Sequence, residues 1–177
     1  MNDFDFKTAT EVVLDIRFPV LEYDEDIQMF IGNEVIIDTF ALLKRPRMIK
    51  THLPVQLLPD EVWTKKPKLI YISRDPKDVV VSMFHFFNSF YKCDISLERF
   101  IDLFIEDKVI NCPFKDHREN YWQIKNYPNI LYLTYEDVTQ KADAIIEEVA
   151  SFLGKTISVV QKQKLKEHLK FENMQSK

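Results

Sequence analysis

Three short runs of consecutive apolar residues set the fold class. RMIKTH (47–52), KLIYIS (68–73) and ILYLTY (130–135) are apolar on successive positions rather than in strict alternation. That is the pattern of parallel strands buried under helices on both faces. Helical spacing fills the intervals. Residues 76–91 follow an Asp-Pro start signal, and LERFIDLFIEDKV (97–109) has Ser96 as its cap. Residues 115–127 form another candidate, ended by Pro128. TQKADAIIEEVASFLG (139–154) starts at Thr139 and stops at Gly154, and a last helix over 158–170 is charged on one side. Strands alternating with helices predict an α/β fold with a parallel sheet. No repeat, low-complexity stretch or linker divides the chain, so residues 1–177 read as a single domain.

The 177 residues, 46% hydrophobic and 29% charged, suit one soluble domain with a real core. A net charge of −4 argues against a general nucleic-acid binder but leaves room for a local anion site. Cys93 and Cys112 make no disulfide framework, C-x-x-C pair or metal spacing. The acidic start MNDFDFKTATEVV predicts no signal peptide. The most apolar stretch, VVVSMFHFFNSF, is broken by His85 and Asn88 and is shorter than the ~20 residues a membrane helix needs. These features predict a cytoplasmic protein with no membrane or nucleic-acid partner.

Glycine usage restricts the chemistry. A phosphate-cradling loop uses glycine where backbone approaches the anion or takes positive φ. The chain has two glycines, Gly32 in a predicted turn and Gly154 at a predicted helix end. Any anion site within these residues is therefore built without a Gly-rich loop.

The segment YISRDPKDVVVSMFHFF (71–87) suggests where such a site lies. A strand ends at Arg74, Asp75 suits a helix N-cap, and Pro76 suits the first helical position. A helix opening just past a parallel strand is where α/β proteins bind anions. Arg74 offers a fork suited to phosphate, and Ser82, two turns after Asp75, shares its helix face. The plainer alternative pairs Arg74 with Asp78 or Glu136 and leaves Ser82 as a helix contact.

In MIKTHLP (48–54), Lys50 and His52 face the same side of a predicted strand. A cation and a base on one face can stabilise developing charge and accept a proton. A structural histidine at a strand end is the alternative.

RPRMIKTHLP, KLIYISRDPKDVVVSMFHFF and ILYLTYEDV together resemble the cytosolic sulfotransferase family in order and spacing, as does RFPVLEYD (17–24). That family moves a sulfuryl group from 3′-phosphoadenosine 5′-phosphosulfate (PAPS) to a hydroxyl or amine of a small molecule. The resemblance implies a P-loop-NTPase-like parallel sheet flanked by helices, and it implies no metal. It implies that His52 is the catalytic base and that Lys50 contacts the sulfuryl group. It assigns Arg74 and Ser82 to the 3′-phosphate, Tyr135 to the adenine and Phe171 to stacking on the adenine. Leu169 and Lys170 depart from the small hydroxylated residues usual before that aromatic. Phe86 matches a residue lining the acceptor pocket. Neighbouring Phe84, Phe87 and Phe90 fit either an apolar site or plain helix packing.

The family's 5′-phosphosulfate loop, approximately K-S-G-T-T-W, lies upstream of the RFPVLEYD segment. The sixteen residues before Arg17 hold no such motif, and no C-terminal R-K-G segment appears before Lys177. The expectation is the central portion of a sulfotransferase, its sheet incomplete for want of the first core strand and the C-terminal segment. Two readings stay open. One is a PAPS-dependent sulfotransferase acting on a phenol, steroid or other apolar alcohol. The other is a catalytically inactive truncated isoform or fragment that at most binds 3′-phosphoadenosine nucleotides or a protein partner. A nucleotide kinase is disfavoured, since no Walker lysine is present. The sequence sets no oligomeric state.

Overall fold

The computed structural model describes residues 20–21, 45–92 and 94–170. The chain divides into two compact units, residues 1–53 and 54–177.

In the first unit, Val20 and Lys50 form an isolated parallel bridge, with the Leu21 amide donating to the Lys50 carbonyl at 2.8 Å. The buried strand expected over 47–52 is not formed beyond that bridge among the described residues. Residues 45–50 are exposed, Met48 and Ile49 included. Arg47 and Lys50 interrupt the apolar run. Downstream, the Leu53 amide donates to the Thr51 hydroxyl at 3.0 Å, a local bond that competes with a strand ladder.

The second unit opens with a short 3₁₀ turn, Val55–Leu57, and α1 (Glu61–Thr64). There follow β1 (Leu69–Ser73), α2 (Pro76–Tyr91), α3 (Leu97–Ile105), α4 (Phe114–Gln123), β2 (Ile130–Thr134), α5 (Tyr135–Gln140), α6 (Ala142–Phe152) and α7 (Val159–His168). β1 and β2 pair in parallel, in register from Leu69↔Ile130 to Ser73↔Thr134. A parallel pair requires a crossover, and α2, α3 and α4 supply it. The result is the small parallel sheet with flanking helices that the apolar runs implied.

β2 buries Ile130 and Leu133. β1 departs from the expectation of burial on both faces, because Ile70 and Ile72 are 39% and 55% exposed. Its inward residues are Tyr71, which meets α4, and the buried Ser73. Phe100 is the apolar joint between α2 and α3. It is 3% exposed and touches Phe84 and Phe87 at ring separations of 5.8 and 5.7 Å.

The helix ends follow local chemistry. The Asp75 carboxylate accepts from the Lys77 amide at 2.8 Å, and the Ser96 hydroxyl accepts from the Arg99 amide at 3.2 Å. Ser158 and Gln161 form a reciprocal capping box at α7. The single helix expected over 139–154 is instead two, because Lys141 leaves helical geometry at φ −120°. Thr134 caps α5 by accepting from the Asp137 amide, while Thr139 lies inside α5 and donates to the Tyr135 and Glu136 carbonyls. Gly154, at φ +67°, ends the segment after α6, where the Lys155 amide reaches the Ala150 carbonyl at 2.8 Å.

Candidate functional site

The strand register builds the site. Ser73 and Thr134 are the last paired residues of β1 and β2, so Arg74 and Tyr135 leave the sheet at the same level. The Arg74 guanidinium carbon lies 4.4 Å from the Tyr135 ring centre, a cation–π stack. The Asp75 amide donates to the Glu136 carboxylate at 2.9 Å, which ties the start of α2 to the first turn of α5.

Arg74 is only partly committed. Its Nη2 stands 3.8 Å from the Asp78 carboxylate, a long pair on a largely exposed partner. Its Nε is buried and, among the described residues, has no hydrogen-bond partner. An unpaired buried donor costs free energy, more so on a charged group. The plainer alternative for Arg74 is therefore half realised: Asp78 is its neighbour, but Glu136 serves the backbone of Asp75. The residues fit an anionic ligand at this point, since the Arg74 side chain is still 32% exposed and its accessible donors suit a phosphate oxygen.

Ser82 lies on α2, exposed rather than packed against another helix. One turn further, Phe86 is 50% exposed and touches Phe90 at 4.6 Å, and Phe90 and Tyr91 are exposed too. The phenylalanines thus divide. Phe84 and Phe87 pack on Phe100, as plain helix packing predicts, whereas Phe86 and Phe90 form an apolar surface.

Lys50 and His52 belong to the first unit. Lys50 is exposed and held through its backbone, and His52 is half-buried. Phe171 and most of RFPVLEYD lie outside the described residues. No group of three or more His, Cys, Asp or Glu able to hold a metal occurs among the described residues. Nor is any helix among them long and apolar enough to cross a membrane.

Sequence reasoning missed an aromatic block behind the strand ends. Tyr71 pairs across the sheet with Tyr132 (5.2 Å) and stacks on Tyr121 of α4 (4.1 Å, 15°), and its hydroxyl shares a 3.1 Å hydrogen bond with His117 Nδ1. Burial first, then Tyr132 and Tyr121, push the Tyr71 phenol well above the ordinary tyrosine pKa, against the opposing Arg118. Tyr71 and Tyr132 each stand three residues before Arg74 and Tyr135, but nothing local in the sequence joins them to Tyr121 and His117 of α4. A cleft of about 460 Å³ is lined by Phe104, Phe114, Trp122 and Tyr132, and none of the described residues of the predicted site lines it.

The Sulfotransferase domain family matches residues 1–177. The chain is 34% identical over 190 residues to luciferin sulfotransferase of Photinus pyralis, covering 99% of this chain and 50% of that protein. It is 33% identical to sulfotransferase 1B1 of Mus musculus, covering 98% of this chain and 58% of the other. The chain thus spans about half the length of these relatives. Among solved structures, retinol dehydratase in complex with androsterone and inactive cofactor PAP superposes with a TM-score of 0.83 at 29% identity, over 97% of this chain and 58% of that one. Mouse sulfotransferase SULT7A1 complexed with PAP gives 0.73 at 26% identity, over 97% and 61%.

Proposed function

The chain belongs to the sulfotransferase family, and from that premise we propose that the protein transfers a sulfuryl group from PAPS to the hydroxyl of a small apolar acceptor in the cytoplasm. The observation that carries the reading is Arg74: a guanidinium at the mouth of paired parallel strands, stacked on Tyr135, with a buried donor unpaired among the described residues. In this reading residues 1–177 are parts of one sulfotransferase domain. Arg74 and Ser82 grip the 3′-phosphate, and Tyr135 and Phe171 contact the adenine. Phe86 lines the acceptor side.

The chemistry is an in-line displacement at sulfur. The acceptor oxygen forms a bond to sulfur as the bond between sulfur and the bridging phosphate oxygen breaks. His52 takes the acceptor's hydroxyl proton, and Lys50 balances the charge that develops on the transferring group. The 3′,5′-bisphosphate leaves with the bond's electron pair. Retinol and androsterone, named with the structural relatives, support an apolar acceptor with an alcohol function.

A second reading is nucleotide binding without transfer. An assay with labelled PAPS against phenol, steroid and retinoid alcohols separates the two. Transfer that is lost in His52→Ala supports the enzyme. Nucleotide binding without transfer by the full-length protein supports the second reading.

A further inference from the structure

We propose that Tyr71 and His117 are positioning residues for the phosphate grip of Arg74, an inference that rests on the functional reading above. Arg74 has no anchor of its own in the sheet. It follows Ser73 directly, and its stack on Tyr135 exists only while β1 and β2 end level. Parallel strands hold that level by register, and a slip of one residue would turn every side chain to the opposite face. Tyr71 and Tyr132 oppose such a slip, since they are register partners in ring contact.

The pair is held from above by α4. His117 and Tyr121, four residues apart and so on one helix face, cap the Tyr71 ring and its hydroxyl. The Tyr71 hydroxyl and His117 Nδ1 stand 3.1 Å apart, so α4 holds the far end of the ring as well as its face. The hydrogen bond and the ring stack add to the backbone ladder in holding the end of β1 from which Arg74 leaves. Removing the hydrogen bond loosens that strand end without removing any group that touches a ligand.

A generally weakened fold and a mis-aimed arginine differ in what they do to two ligands. Adenosine 3′,5′-bisphosphate presents the 3′-phosphate to Arg74, whereas adenosine 5′-monophosphate does not. Binding of both is measured by calorimetry for the full-length protein, Tyr71→Phe, His117→Asn and, as a destabilised control, Ile146→Val in α6. The expected result is a preference for the bisphosphate in the unaltered protein that falls about threefold or more in Tyr71→Phe and His117→Asn. Ile146→Val should leave the preference unchanged. His117→Asn keeps the tyrosine stack intact, so it serves if Tyr71→Phe folds poorly. If the unaltered protein prefers the bisphosphate and both variants keep that preference, the positioning role is wrong while the functional reading stands. If the unaltered protein shows no preference, there is no phosphate grip to position, and both are overturned.

Discussion

Arg74 and Tyr135 extend two strands that end level: Ser73 pairs with Thr134, and the next residue on each strand meets the other, guanidinium carbon to ring centre, at 4.4 Å. The stack depends on the π face and not on the phenol oxygen. Tyr135→Phe should therefore keep bisphosphate affinity within about twofold, and Tyr135→Leu should lose about three- to tenfold, the worth of a partly shielded cation–π contact. Calorimetric titration of both variants checks this. Equal losses would assign the effect to the hydroxyl.

Asp78 competes for the same guanidinium, at 3.8 Å. It also sits in the first turn of α2, where a carboxylate favours the helix dipole. Asp78→Asn should slightly lower the melting temperature yet tighten bisphosphate binding about two- to fivefold at low salt, an advantage that shrinks as salt screens the competing charge. Weaker binding at every salt concentration would contradict the competition.

Two phenylalanines, Phe100 of α3 and Phe86 of α2, should respond in opposite ways. Phe100 is 3% exposed between α2 and α3, and Phe100→Ala should cost ~3–5 kcal/mol of stability. Against a total margin of ~5–15 kcal/mol, that brings a domain close to unfolding. Phe86 is 50% exposed. Phe86→Ala should cost under ~1 kcal/mol while raising KM for the acceptor. Denaturant melts and acceptor kinetics on the two variants separate packing from pocket.

The contact of α6 with α7 is electrostatic on its outer side. Lys166 pairs with Asp143, and Lys162 pairs with Glu147 at 2.6 Å and Asp143 at 3.9 Å. The hydrogen bond from Lys166 does most to hold the Asp143 carboxyl below its ordinary 3.8; desolvation opposes it, and the charges of Lys166 and Lys162 add smaller depressions. A depressed carboxylate stabilises the fold above its unfolded pKa and loses that contribution as pH falls through the folded value. Acidification from the ordinary aspartate value downward should therefore weaken this contact in the unaltered protein and not in Asp143→Asn. Circular-dichroism melts across pH 2–7 at low salt would show the difference. At about 1 M salt it should largely vanish, since these groups are exposed.

Legibility in the sequence followed the range of the forces. KLIYIS and ILYLTY announce β1 and β2 as continuous apolar runs, although Ile70 and Ile72 of β1 stay exposed, and Asp75-Pro76, Ser96 and Gly154 mark their helix boundaries through purely local bonds. RMIKTH misled, because a strand needs a partner as well as a pattern, and a single bridge at Lys50 is what forms among the described residues. The break at Lys141 was hidden by helical residues on both sides. Arg74 was found from its place after a strand, and its stack on Tyr135 follows from a register that no single segment encodes. The Tyr71, Tyr121 and His117 block stayed hidden for the same reason, being distributed over β1 and α4.

The central claim is that Arg74 holds a 3′-phosphate, and the most direct measurement is calorimetric binding of adenosine 3′,5′-bisphosphate to the unaltered protein and to Arg74→Ala. An arginine–phosphate contact is worth ~1.5–3 kcal/mol, so binding should be saturable and weaken about 10- to 100-fold in the variant. Binding of the same strength in both proteins, or none in the unaltered one, would contradict it.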